Sequence, residues 1–408
     1  MALEIDSSSN NEPFPWHIGV FDAHCHPTDT MSSIDRIQSM KTRVLTVMST
    51  RSQDQDLVAS TADKYSIQSS NCDQWSQEEW MIPCFGWHPW FSHQMYIDGY
   101  SDRERVESQE PGNLTGDAKI AHYRSVLTPS REALSEEDRQ TYLSLPDPMP
   151  FSTFLTQTRR LLQRYPHALV GEVGLDRSFR IPQAWVEGDD FWSKRDPSLT
   201  PGGREGRRLT SFRCDMKHQK KILKLQLQLA AELGRGVSVH GVAAHGVLFE
   251  ALQELWKGNE KEVLTRRERK KQASEHRAVG DDLSRAPQPS QQPLPYPPRI
   301  CLHSFSGNKS IFKPYMGREI PVQIFASFST AINLSDAPEK TPASFEELIK
   351  TVPDHMLLVE SDLHTAGDGM DRRMEDIVRR ICKIKGWGLE EGVQQLGNNW
   401  KTFVFGEL

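Results

Sequence analysis

Apolar residues along this chain gather in short runs, each followed by a longer polar or helix-patterned stretch. Eight such runs stand out: "IGVFD" (18–22), "RVLTVMS" (43–49), "WMIPCFG" (80–86), "ALVGE" (168–172), "GVSVH" (236–240), "RICLH" (299–303), "VQIFASF" (322–328) and "MLLVE" (356–360). Most are nearly continuous in apolar residues rather than alternating. That is the pattern of strands covered on both faces in a parallel sheet. Between them, 151–165, 216–234 and 374–386 carry apolar residues at helical spacing, and Gly234 supplies a stop for the second. Strand and helix alternating eight times predict an α/β fold, the (β/α)8 barrel.

Three polar segments exceed the minimal repeat. Residues 98–150, rich in Ser, Glu and Pro, read as an insertion after strand three, and 177–213 as another after strand four. Residues 258–298, after strand five, hold "RRERKKQ" and then "APQPSQQPLPYPP", and read as a disordered or linker-like insertion. The expected organisation is one barrel over 16–408 behind a flexible N-terminus at 1–15. The basic run Arg266–Lys271 suits a nuclear import signal or a nucleic-acid contact, but a solvated loop accounts for it more simply.

The chain of 408 residues is 37% hydrophobic and 25% charged, ordinary for a globular protein. No run of eighteen apolar residues predicts a membrane span, and the N-terminus lacks the basic and apolar regions of a secretory signal. Six cysteines without CxxC spacing fit reduced thiols, hence an expected location in cytoplasm, nucleus or both. A formal net charge of −6 excludes a wholly basic nucleic-acid glove. Any such contact needs a local patch or a bound metal.

Ligand-type side chains collect at the ends of the strand runs. Asp22, His24 and His26 stand at the first, His88 at the third, Glu172 and Asp176 at the fourth. His240, His303, and then Glu360 and Asp362 stand at the fifth, sixth and eighth. In a barrel these ends converge on one mouth. Residues two apart on a strand face the same way, so His24 and His26 present two imidazoles to one ion while Cys25 points elsewhere. A lone HxH carries little weight. Six ligand-type residues at five strand ends carry more, because coincidence would have to repeat five times.

In order, "DAHCH", "GWHPW", "GEVGLD", "HSFSG", "LLVESD" and "NNWKTFVFG", together with the helix "QKKILKLQLQLAAELG", resemble the motif blocks of the TatD family of metal-dependent deoxyribonucleases, within the amidohydrolase-like barrels. The resemblance runs from Asp22 to the C-terminus. It implies two divalent cations (Mg, Mn or Zn), one held by His24, His26, Glu172 and Asp362, the other by Glu172, His240 and His303. It further implies Glu172 as the bridge, Asp362 as the group that orients water and accepts its proton, and His88 over the substrate phosphate. Glu360 and Asp176 would fix histidine tautomers, although salt-bridge or helix-cap roles suit them equally. The implied activity is 3′→5′ exonucleolytic hydrolysis of DNA, at single strands or 3′ ends. Trp87, Trp90 and Phe91 beside His88 offer stacking faces, or core packing.

Two positions depart from the family. Val242 stands where HxR has arginine, and His364 where ETDxP has proline. Both bear on phosphate binding. A hydrolase of amides or aminoacyl esters on the same site is therefore the alternative. The insertions are similar to those of family members that bind a mitotic ubiquitin-ligase subunit, so a protein partner is a further reading, with 287–298 as the docking segment.

Overall fold

Closure of a parallel sheet requires the first and last strands to meet, and in this chain they meet at the mouth. The computed structural model describes residues 12–98, 112–130, 133–184, 207–263, 294–334 and 340–406. Its central sheet has eight strands: β1 (Phe21–Cys25), β2 (Val44–Met48), β3 (Met81–Phe85), β4 (Leu169–Asp176), β5 (Val237–Val242), β6 (Arg299–Leu302), β7 (Gln323–Phe328) and β8 (Leu357–Val359). They lie in chain order, each pairing parallel with the next. Asp362 N–H donates to His24 O (3.1 Å) and His26 N–H to Leu363 O (2.9 Å), joining the ends of β1 and β8. The fold is the expected (β/α)8 barrel.

Helices cover the outside. Among the described residues the α-helices of nine residues or more are α1 (Ser52–Tyr65), α2 (Gly116–Val126), α3 (Glu136–Ser144), α4 (Phe151–Arg164), α5 (Met216–Glu232), α6 (His245–Trp256), α7 (Ala343–Thr351), α8 (Asp368–Lys385) and α9 (Leu389–Phe405). Side chains of alternate strand positions face inward and fill the barrel. Ala23, Met48, Ile82, Cys84, Leu169, Cys301, Phe325 and Leu358 form this inner cluster with Trp400 and Phe403 of α9. The Trp400 indole N–H donates to Thr46 Oγ1 (3.0 Å), and its ring stacks on Phe21 at 4.6 Å.

Two strands differ from the apolar runs. The first begins three residues later than "IGVFD", because Trp16–Ile18 form a 3-10 turn and Gly19 takes φ +98°, a conformation open to glycine. The fourth continues through Gly174 to Asp176. A Cβ on Gly174, at φ +153°, would stand 2.1 Å from His240 O, so glycine is what lets β4 lie against β5 there.

The first two insertions contain structure that their polarity hid. Residues 116–144 hold α2 and α3. Leu127–Thr128 pairs antiparallel with Arg213–Cys214, tying the two insertions together. Ile120, Tyr123, Tyr142 and Leu145 from one share a satellite core with Phe179, Ile181 and Phe212 from the other. Most of 258–298, including Arg266–Lys271, and most of 1–15 lie outside the described residues. Among the described residues no helix is long and apolar enough to cross a membrane.

Candidate active site

A β-bulge delivers the first histidine. Pairing between β1 and β2 runs Phe21↔Val44, Asp22↔Leu45, then Cys25↔Val47. The extra residue breaks the alternation. His24 lies on the strand and His26 just beyond it, yet their Nε2 atoms approach to 3.1 Å. Asp22 accepts from the backbone N–H of His24 (3.0 Å) and of Ser361 (3.1 Å), tying the bulge to the end of β8. Burial pushes its carboxyl up to about 7.

Glu172, fully enclosed on β4, is the centre of the cluster. Its Oε2 lies 3.5 Å from His24 Nε2 and 3.4 Å from His26 Nε2. Its Oε1 lies 2.8 Å from His240 Nδ1, 2.9 Å from His303 Nε2 and 3.0 Å from His88 Nε2. Asp362 Oδ1 stands 3.6 Å from His26 Nε2 and 3.9 Å from His24 Nε2. The rings of His24 and His303 stack at 3.7 Å. All seven predicted site residues therefore meet in one place. Ligand atoms lie within 4.8 Å of one another in three trios: His24–His26–Asp362, His88–Glu172–His240 and His24–His303–Glu360.

Charge in this enclosure follows from proximity. Burial alone would raise Glu172, but the surrounding imidazoles, His88 and His303 foremost, hold it well below the usual carboxylate range. Burial opposes charge on His26, yet Glu172, Asp29 and Asp362 raise it to about 9. Burial and the neighbouring His303 lower His24 to about 3. Burial, with Glu360 and Glu172 adding, outweighs the pull of His303 and His26 and raises Asp362 to about 6. Asp362 also takes φ +51°, the left-handed region, where aspartate is better tolerated than most residues.

His88 is buried rather than free above the cluster. Its Nδ1 accepts the Trp90 backbone N–H (3.2 Å), which leaves the ring proton on Nε2 to be donated to Glu172. Of the three aromatics beside it, Trp87 packs into the core against Phe154 at 5.0 Å. Trp90 and Phe91 line a cavity of about 530 Å³ whose lining includes His26, His88, Glu172, His240, His303 and Asp362. Val242 and His364 line the same cavity, and His364 Nδ1 meets Asp29 Oδ2 at 2.7 Å.

Outer partners orient the imidazoles. Asp176 Oδ2 faces His240 Nε2 at 3.2 Å, and Glu360 Oε1 faces His303 Nδ1 at 3.3 Å. Glu360 in turn accepts from the hydroxyls of Ser304 and Ser327. Ser238 Oγ meets His24 Nδ1 at 2.8 Å. That serine went unread in the sequence, although it stands two residues before His240 and therefore on the same face of β5. Two glutamines of α5, seven residues apart on one helix face, hold the loops. Gln219 bonds both N–H and C=O of Asp176 (2.8 and 2.9 Å), and Gln226 those of Trp87 (2.7 and 3.1 Å). Arg51 and Arg207, also unread, line the cavity from outside the strand ends.

The chain is 32% identical to the Cut9-interacting protein scn1 of Schizosaccharomyces pombe over 385 residues, 94% of this chain and 98% of that one. It is 24% identical to the uncharacterized deoxyribonuclease YMR262W of Saccharomyces cerevisiae, over 84% of this chain and 82% of that one. Among solved structures, an uncharacterized amidohydrolase from Saccharomyces cerevisiae superposes with TM-score 0.51 at 12% identity, covering 95% of this chain and 99% of that one. A TatD family hydrolase from Entamoeba histolytica does so with TM-score 0.50 at 10% identity and the same coverage. The TatD related DNase family signature matches residues 21–404. With its histidines and carboxylates gathered at the barrel mouth, the chain belongs to the TatD related DNase family and is a metal-dependent hydrolase of ester bonds.

Proposed function

We propose that the chain is a 3′→5′ exodeoxyribonuclease whose site holds two adjacent divalent cations. The observation that carries this is the division of Glu172: one oxygen faces His24 and His26, the other His240 and His303. A carboxylate shared between two sets of nitrogen donors is the arrangement that bridges paired ions. The donor set fits, being imidazole and carboxylate in a buried polar pocket suited to zinc or manganese and, less well, magnesium. His24, His26, Glu172 and Asp362 would hold one ion, and Glu172, His240 and His303 the other. Such ions supply Lewis-acid polarisation of a phosphodiester and activation of water near neutral pH.

The side chains perform the remaining work. Asp362, least enclosed of the carboxylates in the cluster and raised to about 6, accepts the proton of the attacking water. His88 keeps its Nε2 proton directed at the centre and donates it to Glu172 or to a phosphate oxygen. Asp176 and Glu360 hold His240 and His303 in the orientation that presents Nδ1 and Nε2 inward. Trp90 and Phe91 supply apolar faces against which a base stacks.

The test uses single-stranded DNA labelled at either end, with Mg²⁺, Mn²⁺ or Zn²⁺, beside Glu172→Ala and Asp362→Ala. A metal-dependent ladder receding from the 3′ end, absent in both variants, is expected. Absence of cleavage with metal bound by elemental analysis would overturn the nuclease reading in favour of an amide or aminoacyl ester. A relative named for its interaction with Cut9 supports a second role, binding a protein partner through the insertions.

A further inference from the structure

The catalytic cavity does not end at the barrel. A second cavity of about 310 Å³ adjoins it, at the lower end of the range of roughly 300–1,000 Å³ that ligand sites span. Six residues line both: Arg51, Trp90, Phe91, Phe179, Pro182 and Arg207. The far wall of the second cavity, Ser144, Leu145 and Pro146, comes from the insertion after β3, and Ile181 from the insertion after β4. The two insertions thus meet to make a chamber that the barrel alone does not have.

The chemistry of this chamber is specific. Its shared wall is aromatic, with Trp90 stacked on Phe179 at 4.8 Å and 10°. The Arg51 guanidinium lies 4.7 Å from the centre of the Phe91 ring. Two arginines line the passage, and among the described residues no carboxylate lines the second chamber. Val242 leaves the strand-five position in the first cavity uncharged, and Arg51 and Arg207 are the arginines among the described residues of the cavity wall. His93 also lines the second chamber and is 2% exposed.

We propose that the second chamber is a nucleotide subsite, holding the nucleotide next to the one whose phosphodiester is cleaved, with Arg51 and Arg207 on the intervening phosphate. The proposal rests on the nucleic-acid reading of the same site. The base lies on the apolar wall, where stacking is tolerant of sequence. The insertions then set how many nucleotides the site grips.

The test is binding of fluorescent phosphorothioate-linked oligothymidylates of one, two and three nucleotides, which resist hydrolysis, to Mn²⁺-loaded full-length protein by anisotropy. Affinity is expected to rise about tenfold from one nucleotide to two, the size of one base stack, and little thereafter. Ser144→Trp and Pro146→Trp, each filling the second chamber from its exposed rim, remove the step and leave single-nucleotide binding within about twofold. Arg207→Ala shrinks the step and weakens its salt dependence. An unchanged step in both tryptophan variants, or none in the wild type, overturns the subsite. Equal displacement of the dinucleotide by an acidic peptide also overturns it. Hydrolysis of unmodified single-stranded DNA, followed in parallel, separates the two readings. A step without hydrolysis sinks the nuclease and keeps the subsite, whereas hydrolysis without a step does the reverse.

Discussion

Asp176 Oδ2 lies 3.2 Å from Nε2 of His240, on the side of the ring away from Glu172. The same oxygen accepts the Trp90 indole N–H at 2.6 Å. One carboxylate therefore orients a ligand-type imidazole and an aromatic wall of the cavity together. Asp176→Asn keeps the shape and removes the charge. Metal affinity is expected to fall about 10–100-fold, read by competition with a chelating dye. Unchanged affinity would make Asp176 a structural anchor for Trp90 alone.

If Glu172 is shared by two ions, its loss differs in kind from loss of a histidine. Glu172→Ala is expected to empty both sites, whereas His26→Ala and His240→Ala each empty one. Elemental analysis after gel filtration counts the ions. Loss of one ion only in Glu172→Ala would remove the bridge. Chelation should also lower the thermal midpoint of the wild type, because a ligand bound only by the native state stabilises by mass action.

His93 gives a pH dependence remote from the metal cluster. Burial, with His122 and His218 adding, lowers it to about 3. The unfolded chain takes up this proton near pH 6.5 and the folded chain only near pH 3, so stability is full above 6.5 and declines as pH falls between them. The slope from one such group is about 1.4 kcal/mol per pH unit. His93→Gln is expected to flatten the fall of the urea midpoint between pH 6.5 and 4 relative to wild type, and parallel curves would exclude His93 as a contributor.

Trp400 closes the bottom of the barrel interior at 1% exposure. Trp400→Ala removes its stacking on Phe21 and its bond to Thr46. A loss of about 3–5 kcal/mol is expected from urea unfolding, with metal binding retained if the protein folds. A loss below about 1 kcal/mol would mean the site collapses around the gap.

Eight strands were legible because each is a continuous apolar run between polar segments, and the ligand-type residues because each sits at such a run's end. The bulge at β1 was not. Its cause, Ala23 and His24 opposite Thr46 alone, depends on β2 and leaves no trace in local composition. The helices of the first insertion were hidden for a related reason. Ile120, Tyr123 and Tyr142 are few among polar neighbours, and their core is completed by Phe179, Ile181 and Phe212 from a distant segment. Arg51 and Arg207 escaped notice because neither stands at a motif; only the meeting of loops brings them to the cavity. The motif at His88 does not show its bond to Trp90, which decides its tautomer and is a matter of backbone geometry.

The seam between β1 and β8 has a consequence for how the protein is made. His24 and His26 lie on one side of it and Asp362 on the other, and the two backbone bonds that close it involve these same residues. A nascent chain still on the ribosome holds the two histidines for most of its synthesis without the aspartate that faces them. The predicted first ion can therefore acquire its full set of ligands only after the last strand has emerged. His24 on β1, His26 just beyond it and Asp362 beyond β8 would hold it across the seam, so that a product cut short before β8 would be recognisable by what it fails to retain.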